Sequence, residues 1–392
     1  MKPKILIAGG GIGGLTAAAC LLTSGFEVEV LEQAERLGEI GAGIQLSANA
    51  MHVLTHLGVG PSILASAVQP EAYVFRLHDT GEEVGRFALA DEHSRLNGAP
   101  YCQLHRADLH AALAAKVDAL KGIVRLGARV VGFTESADKV TAHLADGSSV
   151  DGNVLIGADG VKSAVRRQLI GPDNAVYTGD AAWRLTIPTD RLPKDFMPPV
   201  MSVWMGPGAH VVCYYLRAGA ILNFVGLVET DEISEESWTA RLSWAKLKRD
   251  FEGWHPFIQQ IIDIADKDQC FRWSLFYRPP IENWCGKRVT LLGDAVHATL
   301  PYLAQGAAMS IEDGAVLARA LQTSRSVEAA LQLYQRNRIE RTSKIVKISG
   351  ANRDLFHMRD QAALRRAFKD RDEGTSRNAW LYSYNALTVE LM

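Results

Sequence analysis

The residues best suited to chemistry begin with a glycine run, Gly9-Gly10-Gly11-Ile12-Gly13-Gly14. Glycines spaced as Gly9, Gly11 and Gly14 allow a tight strand-to-helix turn, close approach of the backbone to a pyrophosphate, and close packing of the helix that follows. Glu32 lies 18 residues beyond Gly14. A carboxylate there accepts hydrogen bonds from both hydroxyls of an adenosine ribose and repels a 2′-phosphate, which argues against bound NADP. Two more turns, Gly157-Ala158-Asp159-Gly160 and Gly293-Asp294-Ala295-Val296-His297, have no use in a plain NAD dehydrogenase. The three together point to FAD. Farther along, His210 and Tyr214 sit four residues apart on one expected strand, hence on one face of it. A histidine that titrates near neutrality can take a proton from a group bound beside it. The plainer alternative makes His210 an exposed turn residue after Pro207-Gly208 and Tyr214 a core side chain.

Each of these residues needs an element to place it. The glycine run follows an apolar strand, Lys4 to Ala8, and leads into an alanine- and leucine-rich helix from Gly13 to about Ser24. A second strand, Phe26 to Leu31, ends in Glu32. Alternation of this kind through the first half predicts a doubly wound sheet. Val130 to Thr134 and Lys139 to Leu144 read as an antiparallel hairpin ahead of the strand Val154 to Ala158. From about Trp183 to Phe276 the pattern turns β-rich, with strands at Ala182 to Ile187, Val200 to Trp204, Val211 to Leu216 and Ile221 to Val228. Helices are expected at Glu235 to Phe251 and Pro256 to Ala265, then a strand at Val289 to Leu292 and helices at Gly306 to Gln322 and Val327 to Gly350. The fold class is therefore α/β: a Rossmann-like FAD-binding domain from residues 1–180 and 277–350, an inserted β-rich substrate domain at 181–276, and a helical C-terminal segment at 351–392. A ligand between the first two lies at a domain interface, the usual place for a deep pocket.

Four further stretches are Gly41-Ala42-Gly43-Ile44-Gln45, His105-Arg106-Ala107-Asp108-Leu109, Val154 to Gly160 with Ser163 and Arg166, and Leu292 to Asp313. On these residues the chain resembles, over nearly its whole length, the single-component flavoprotein aromatic hydroxylases of the para-hydroxybenzoate hydroxylase type. It is most similar to the branch of salicylate 1-hydroxylase, 3-hydroxybenzoate 6-hydroxylase and 6-hydroxynicotinate 3-monooxygenase. The resemblance implies an FAD reduced by NADH or NADPH, which adds O2 as a flavin C4a-hydroperoxide and delivers OH to an electron-rich ring carbon, the protein supplying position, electrostatics and dryness. It implies that Arg106 meets the flavin and its phosphates, that Asp159 and Gly160 meet both nucleotides, and that Asp294 accepts a ribityl hydroxyl. Outside that setting Arg106 would be a surface residue, Asp294 a helix or turn cap, and Asp159 the cap of a helix beginning near Val161. Backbone N–H groups of Gln305 and Gly306, at a helix start, are placed to stabilise charge on the reduced ring. The same resemblance makes His210 and Tyr214 the pair that binds and deprotonates a phenol, with Gln45, Arg184, Pro301 and Tyr302 lining the substrate pocket. Trp204 and Arg217 are weaker candidates, and His297 is a structural part of its motif. Gln45 and Tyr302 depart from the hydroxynicotinate enzymes, which carry histidine at both places.

Composition closes off other classes. Lys plus Arg number 42 against 44 Asp plus Glu, a net charge of −2 with no basic stripe, which removes any nucleic-acid signal. The charged run Arg365 to Arg377 mixes both signs and reads as a solvated helix end. Cys20, Cys102, Cys213, Cys270 and Cys285 are scattered without metal-ligand spacing, so reduced thiols and no metal are expected. The glycines after Lys2 and Lys4 interrupt any signal or spanning segment, which predicts a cytoplasmic protein with no membrane partner. The tail from Asn352 to Met392 is expected to be helical, and its apolar Trp380-Leu381-Tyr382-Ser383-Tyr384 either packs on its own domain or covers a second subunit, so a homodimer is the expectation. The expected activity is hydroxylation of a phenolic aromatic acid. The alternatives are a hydroxypyridine-carboxylate monooxygenase, a flavin dehydrogenase or reductase that does not activate oxygen, and a flavin-binding protein without turnover.

Overall fold

A five-stranded parallel sheet carries the glycine run at the carboxyl end of its central strand. In the computed structural model, which describes residues 2–38, 43–172, 174–233, 242–369 and 378–392, its strand order is Val289–Leu291, Val154–Gly157, Lys4–Ala8, Glu27–Leu31, Ile123–Arg125. The register aligns Ala8 with Leu31 on one side and with Gly157 on the other, and Gly157 with Leu291. The carboxyl ends of four strands therefore finish level. That alone brings the glycine run, Glu32, Asp159-Gly160 and Gly293-Asp294 to one rim, the crevice where parallel sheets hold nucleotides. The three strands Lys4–Ala8, Val154–Gly157 and Val289–Leu291 are buried on both faces and read as largely apolar runs, as the helix-covered part of a parallel sheet requires. Helix Ile12–Thr23 packs against helix Gly306–Thr323 on this body.

The substrate layer is a seven-stranded sheet in the order Phe271–Tyr277, Val176–Pro188, Ile221–Glu229, Ala209–Leu216, Met201–Gly206, Ala72–Leu77, Glu83–Ala88. It is wider than the 181–276 segment marked from sequence: two of its strands come from residues 72–88, and the strand Val176–Pro188 crosses the boundary at 180. One face, with Trp183, Leu185, Val211, Cys213 and Phe224, packs under helices Trp244–Asp250 and Pro256–Ile264. The other, with Phe75, Ala182, Val203, Met205 and Leu227, packs against Tyr302 and Phe356. The expected hairpin gains a third strand, Ser149–Gly152, and Gly43–Leu46 pairs with Cys102–His105. Of the helix expected at Glu235 to Phe251, the part up to residue 241 lies outside the described residues, as does the charged run beyond residue 369.

The last helix expected to stop at Gly350 continues to Phe356. An interior glycine costs a helix about 1 kcal/mol, which the packing of Ile345, Val346, Ser349 and Phe356 outweighs. The tail is less helical than expected: Gln361–Lys369 and Ala379–Tyr382 are helices, and the last ten residues are not. It packs on its own chain. Arg341 donates to the carbonyls of Trp380 and Leu381, and Arg319 to those of Ala386 and Val389. All five cysteines are free and buried.

Candidate active site

The glycine turn is built so that little but backbone lines it. Gly9 sits at φ +105°, where a Cβ would lie 2.4 Å from the Ala158 carbonyl oxygen, and a Cβ on Gly14 would lie 2.0 Å from the Gly9 carbonyl oxygen. Only glycine fits either place. Gly11 is the N-terminal cap of helix Ile12–Thr23, and no side chain caps that helix or places an acid in its first turn. The first N–H groups of a helix need an acceptor, and an anion is the natural one. Glu32 accepts from the backbone N–H of Gly10 at 2.6 Å and of Ala34 at 2.8 Å, which fixes its carboxylate beside the turn.

Asp159 takes the capping role that the sequence offered for it, on a helix that begins at Ala164 rather than near Val161. Its carboxylate accepts from Ser163 Oγ at 2.5 Å and from the backbone of Ala164 and Val165 at 2.8 and 3.3 Å, so it caps helix Ala164–Ile170. Arg166 joins the second and third motifs by donating to the Val161 and Ala295 carbonyls. Asp294 begins a short helix at the rim, half-buried, with no hydrogen-bond partner for its carboxylate among the described residues. Arg106 is the first residue of helix Arg106–Ala119 and is half-buried.

Gln305 caps helix Gly306–Thr323, again without a side-chain cap or an acid in the first turn. Its side chain closes a buried ring instead. Gln305 Nε2 donates to Ser47 Oγ at 3.1 Å, Ser47 Oγ donates to Asn49 Oδ1 at 2.5 Å, and Asn49 Nδ2 donates back to Gln305 Oε1 at 3.0 Å. Asn49 Nδ2 also reaches Glu312 at 2.6 Å, which Arg338 and Arg341 hold from the long helix. Burial works against ionisation of Glu312, but Arg341 and Arg338 keep its carboxyl below the usual range. Burial likewise opposes ionisation of Asp313, yet His297 at 2.6 Å and Arg338 at 2.7 Å hold it down at about 2. His297 is thus a buried partner of Asp313, which also receives the Gly293 N–H. None of Ser47, Asn49, Glu312, Arg338 or Arg341 was singled out from sequence.

The second half of the site lies on the inner face of the seven-stranded sheet. His210 and Tyr214 share that face, and pairing through Ile221–Glu229 brings Arg184 across from Val212, between them. Tyr214 is hydrogen-bonded to Gln45, which accepts from the Tyr101 hydroxyl at 2.6 Å. Burial pushes the Tyr214 hydroxyl up to about 12, against the pull of Arg184 and Gln45. The Arg184 guanidinium stands 4.8 Å over the Trp273 ring. His210 is buried, 5.4 Å from the ring of Tyr302, whose hydroxyl donates to Asp180 at 3.0 Å. Burial, and then His357, hold His210 well below the ordinary 6.5, so it is neutral at physiological pH. Its Nδ1 meets His357 at 2.9 Å, and its Nε2 has no hydrogen-bond partner among the described residues. Pro301 and Tyr302 form a single turn ahead of Gln305, which links this face to the helix start. Trp204 and Arg217 are not brought in: Trp204 stacks on Phe257 on the opposite face, and Arg217 pairs with Asp108.

A model of the FAD binding domain matches residues 2–349. The chain is 38% identical to 3-hydroxybenzoate 6-hydroxylase of Polaromonas naphthalenivorans (strain CJ2), over 97% of this chain and 96% of that one. It is 35% identical to 6-hydroxynicotinate 3-monooxygenase of Pseudomonas fluorescens, over 90% of this chain and 91% of that one. The chain belongs to the FAD-dependent aromatic hydroxylases. Among solved structures, the hydroxylase matches Klebsiella pneumoniae HpxO complexed with FAD and uric acid at TM-score 0.85 and 29% identity, covering 98% of this chain and 96% of that one. It matches a salicylate hydroxylase substrate complex at TM-score 0.82 and 25% identity, with the same coverage.

The rim of the hydroxylase fits FAD on its own geometry. Two uncapped helix starts, an unpartnered Asp294 carboxylate and a glycine cradle that a single Cβ would fill are what a dinucleotide with an anionic ring requires. FAD bound there supplies two-electron and oxygen chemistry that no side chain can. The charged cluster of Glu312, Asp313, Arg338 and Arg341 escaped the sequence reading because its partners come from helices 25 to 29 residues apart in the chain. The signal that could have found it is the acid pair Glu312-Asp313 inside an otherwise apolar helix, since buried acids demand cations.

Proposed function

We propose that the hydroxylase acts on a phenolic aromatic carboxylic acid of the salicylate or hydroxybenzoate type, with NADH or NADPH as reductant and O2 as the source of the inserted atom. The observation that carries this reading is the neutral His210, with its bare Nε2, on the same buried face as Tyr214 and Arg184. A neutral imidazole accepts the phenol proton, and the resulting phenolate raises electron density in the ring that receives oxygen. Arg184 supplies the cation that a carboxylate requires once it leaves water. Tyr214, held by Gln45 and Tyr101, stays protonated and can donate to the substrate oxygen. Pro301 and Tyr302 complete the wall nearest the flavin, which Gly9, Gly11, Gly14, Glu32, Arg106, Asp159, Asp294, Gln305 and Gly306 would hold. The names of the relatives agree in substrate class, since 3-hydroxybenzoate and 6-hydroxynicotinate are both hydroxylated ring acids.

We place the protein in the cytoplasm, a reading supported by five free buried thiols and by the absence, among the described residues, of a helix long and apolar enough to cross a membrane. The homodimer expectation now rests on surfaces other than residues 380–384, which pack internally. Sedimentation of the holoenzyme decides it.

The test of function is oxidation of NADH and of NADPH, with O2 uptake, by the flavin-loaded protein against salicylate, 3-hydroxybenzoate, 4-hydroxybenzoate and 6-hydroxynicotinate. Stimulation by a phenolic acid, with one hydroxylated product per O2 consumed, is the expected result. Turnover of electron acceptors without O2 uptake would move the assignment to a flavin reductase.

A further inference from the structure

His210 is one end of a line of hydrogen bonds that leaves the substrate face and reaches the surface. Its Nδ1 lies 2.9 Å from Nε2 of His357, the residue that ends the long helix Val327–Phe356. Nδ1 of His357 lies 3.3 Å from Oε1 of Glu229, at the end of strand Ile221–Glu229. Both histidines are buried, whereas the Glu229 side chain is 30% exposed. With both rings neutral, one set of tautomers satisfies the line. The carboxylate can only accept, so His357 Nδ1 carries hydrogen; His357 Nε2 then accepts from His210 Nδ1–H, and His210 Nε2 is left as a bare acceptor.

We propose that His357 and Glu229 carry the phenol proton from His210 to solvent. The idea rests on His210 being the base that meets the phenol. In the step, the phenol O–H bond breaks and a bond forms at His210 Nε2. The hydrogen on His210 Nδ1 passes to His357 Nε2, and the one on His357 Nδ1 passes to Glu229, which releases it to water. The substrate is left as phenolate, no charge stays on either ring, and return of one proton along the same line resets both tautomers.

The groups around His357 favour this direction. Asp180 lies 3.8 Å from its Nδ1, but that carboxylate is fully buried and already takes two hydrogen bonds from Arg353 and one from Tyr302. Arg353 also stands 3.5 Å from Glu229 Oε1, and Arg359 donates to Glu229 Oε2 at 2.8 Å. These two arginines hold the Glu229 carboxylate in place against His357. Tyr302 meets His357 by its ring, 6.2 Å between centroids, and its hydroxyl faces Asp180. His357 and Glu229 act through His210 and position its proton.

The test is stopped-flow mixing of the oxidised holoenzyme with salicylate or 3-hydroxybenzoate in weakly buffered phenol red, which times proton release to solvent. The wild type is expected to release about one proton per ligand bound, within the binding phase. In His357→Gln and Glu229→Gln, release slows at least tenfold while the Kd for the acid stays within threefold, and added imidazole restores the rate in His357→Gly. Glu229→Gln alters a part-exposed side chain, so it decides the question even if the His357 variants fail to fold. Unchanged release in both glutamine variants overturns the relay alone. A wild type that binds these acids without releasing a proton overturns the base assignment of His210 and the relay with it.

Discussion

A base must enter the reaction uncharged, and bulk water or a neighbouring carboxylate would favour its charged form instead. His210 meets the condition through burial and through His357 rather than through a carboxylate partner. A carboxylate would have raised its pKa and kept it protonated. Replacing His210 with glutamine, which keeps a polar group of similar reach but cannot accept a proton at neutral pH, should lower kcat for the phenolic acid by about 10²-fold or more. FAD content should be unchanged, because among the described residues the ring meets His357, Tyr302 and Phe356 and none of those proposed to hold FAD. Steady-state kinetics with the flavin-to-protein absorbance ratio measures both, and a full-rate glutamine variant would remove His210 from the chemistry. At this scale the sequence was informative where chemistry follows from a local pattern. Glu32 after a glycine turn, or Asp294 after a strand, is read from a few neighbours. It was silent on His357 and Asp180, which reach His210 and Arg353 across 147 and 173 residues. It also named Trp204, which alternation alone could not exclude: period two says which residues of a strand share a face, not which face looks inward.

At the scale of elements, two glycines that look alike in sequence carry different constraints. Gly14 is required by the protein itself, since a Cβ there would lie 2.0 Å from a backbone oxygen. At Gly306 the nearest atom to a Cβ is Thr299 Cγ2 at 3.4 Å, a contact the fold can absorb. Alanine within a helix is worth up to about 1 kcal/mol over glycine. Gly306→Ala should therefore leave the melting temperature of the apoprotein unchanged or slightly higher, yet weaken FAD binding if the ring meets this uncapped helix start as proposed, because the methyl group would stand there. Gly14→Ala should lower the melting temperature of the apoprotein as well. Calorimetry of both apoproteins beside fluorescence titration with FAD separates the two effects, and equal loss of apoprotein stability would refute the distinction. The elements themselves were largely legible. Lys4–Ala8 and Val289–Leu291 show as apolar runs and helix Gly306–Thr323 as a glycine-led segment, and their bounds fall within a few residues of those expected. The recruitment of residues 72–88 into the substrate sheet was not legible, because a strand's local pattern holds no information on which sheet it joins.

Across the whole molecule, the buried charges are arranged in two kinds. Acids on the long helices are paired with arginines, whereas His93, His210 and His357 are held towards the neutral form by burial. His93 shows why: its Nε2 accepts the backbone N–H of Ala48 at 3.3 Å, between the rings of Tyr101 and Tyr382, and burial lowers its pKa to about 4. His210 and His357 are shifted the same way. The sign of the effect on stability follows directly. Below pH 6.5 the unfolded chain binds protons at these positions and the folded chain does not, so stability is highest above 6.5 and falls as the pH drops towards each folded pKa. For His93 alone the shift from 6.5 to about 4 is worth up to about 3 kcal/mol. Asp313 has the same sign in a lower window, since its depressed pKa withdraws stability only between about 3.8 and about 2. Acid destabilisation should therefore set in near pH 6.5, well before the paired acids titrate. Urea midpoints from pH 7.5 to 4.5 measure it, and His93→Gln, whose amide oxygen can still accept the Ala48 N–H, should flatten the slope over that range. An identical slope in the variant would mean that His93 is not among the groups that unfold this protein in acid, and would shift the cause to the His210 and His357 pair.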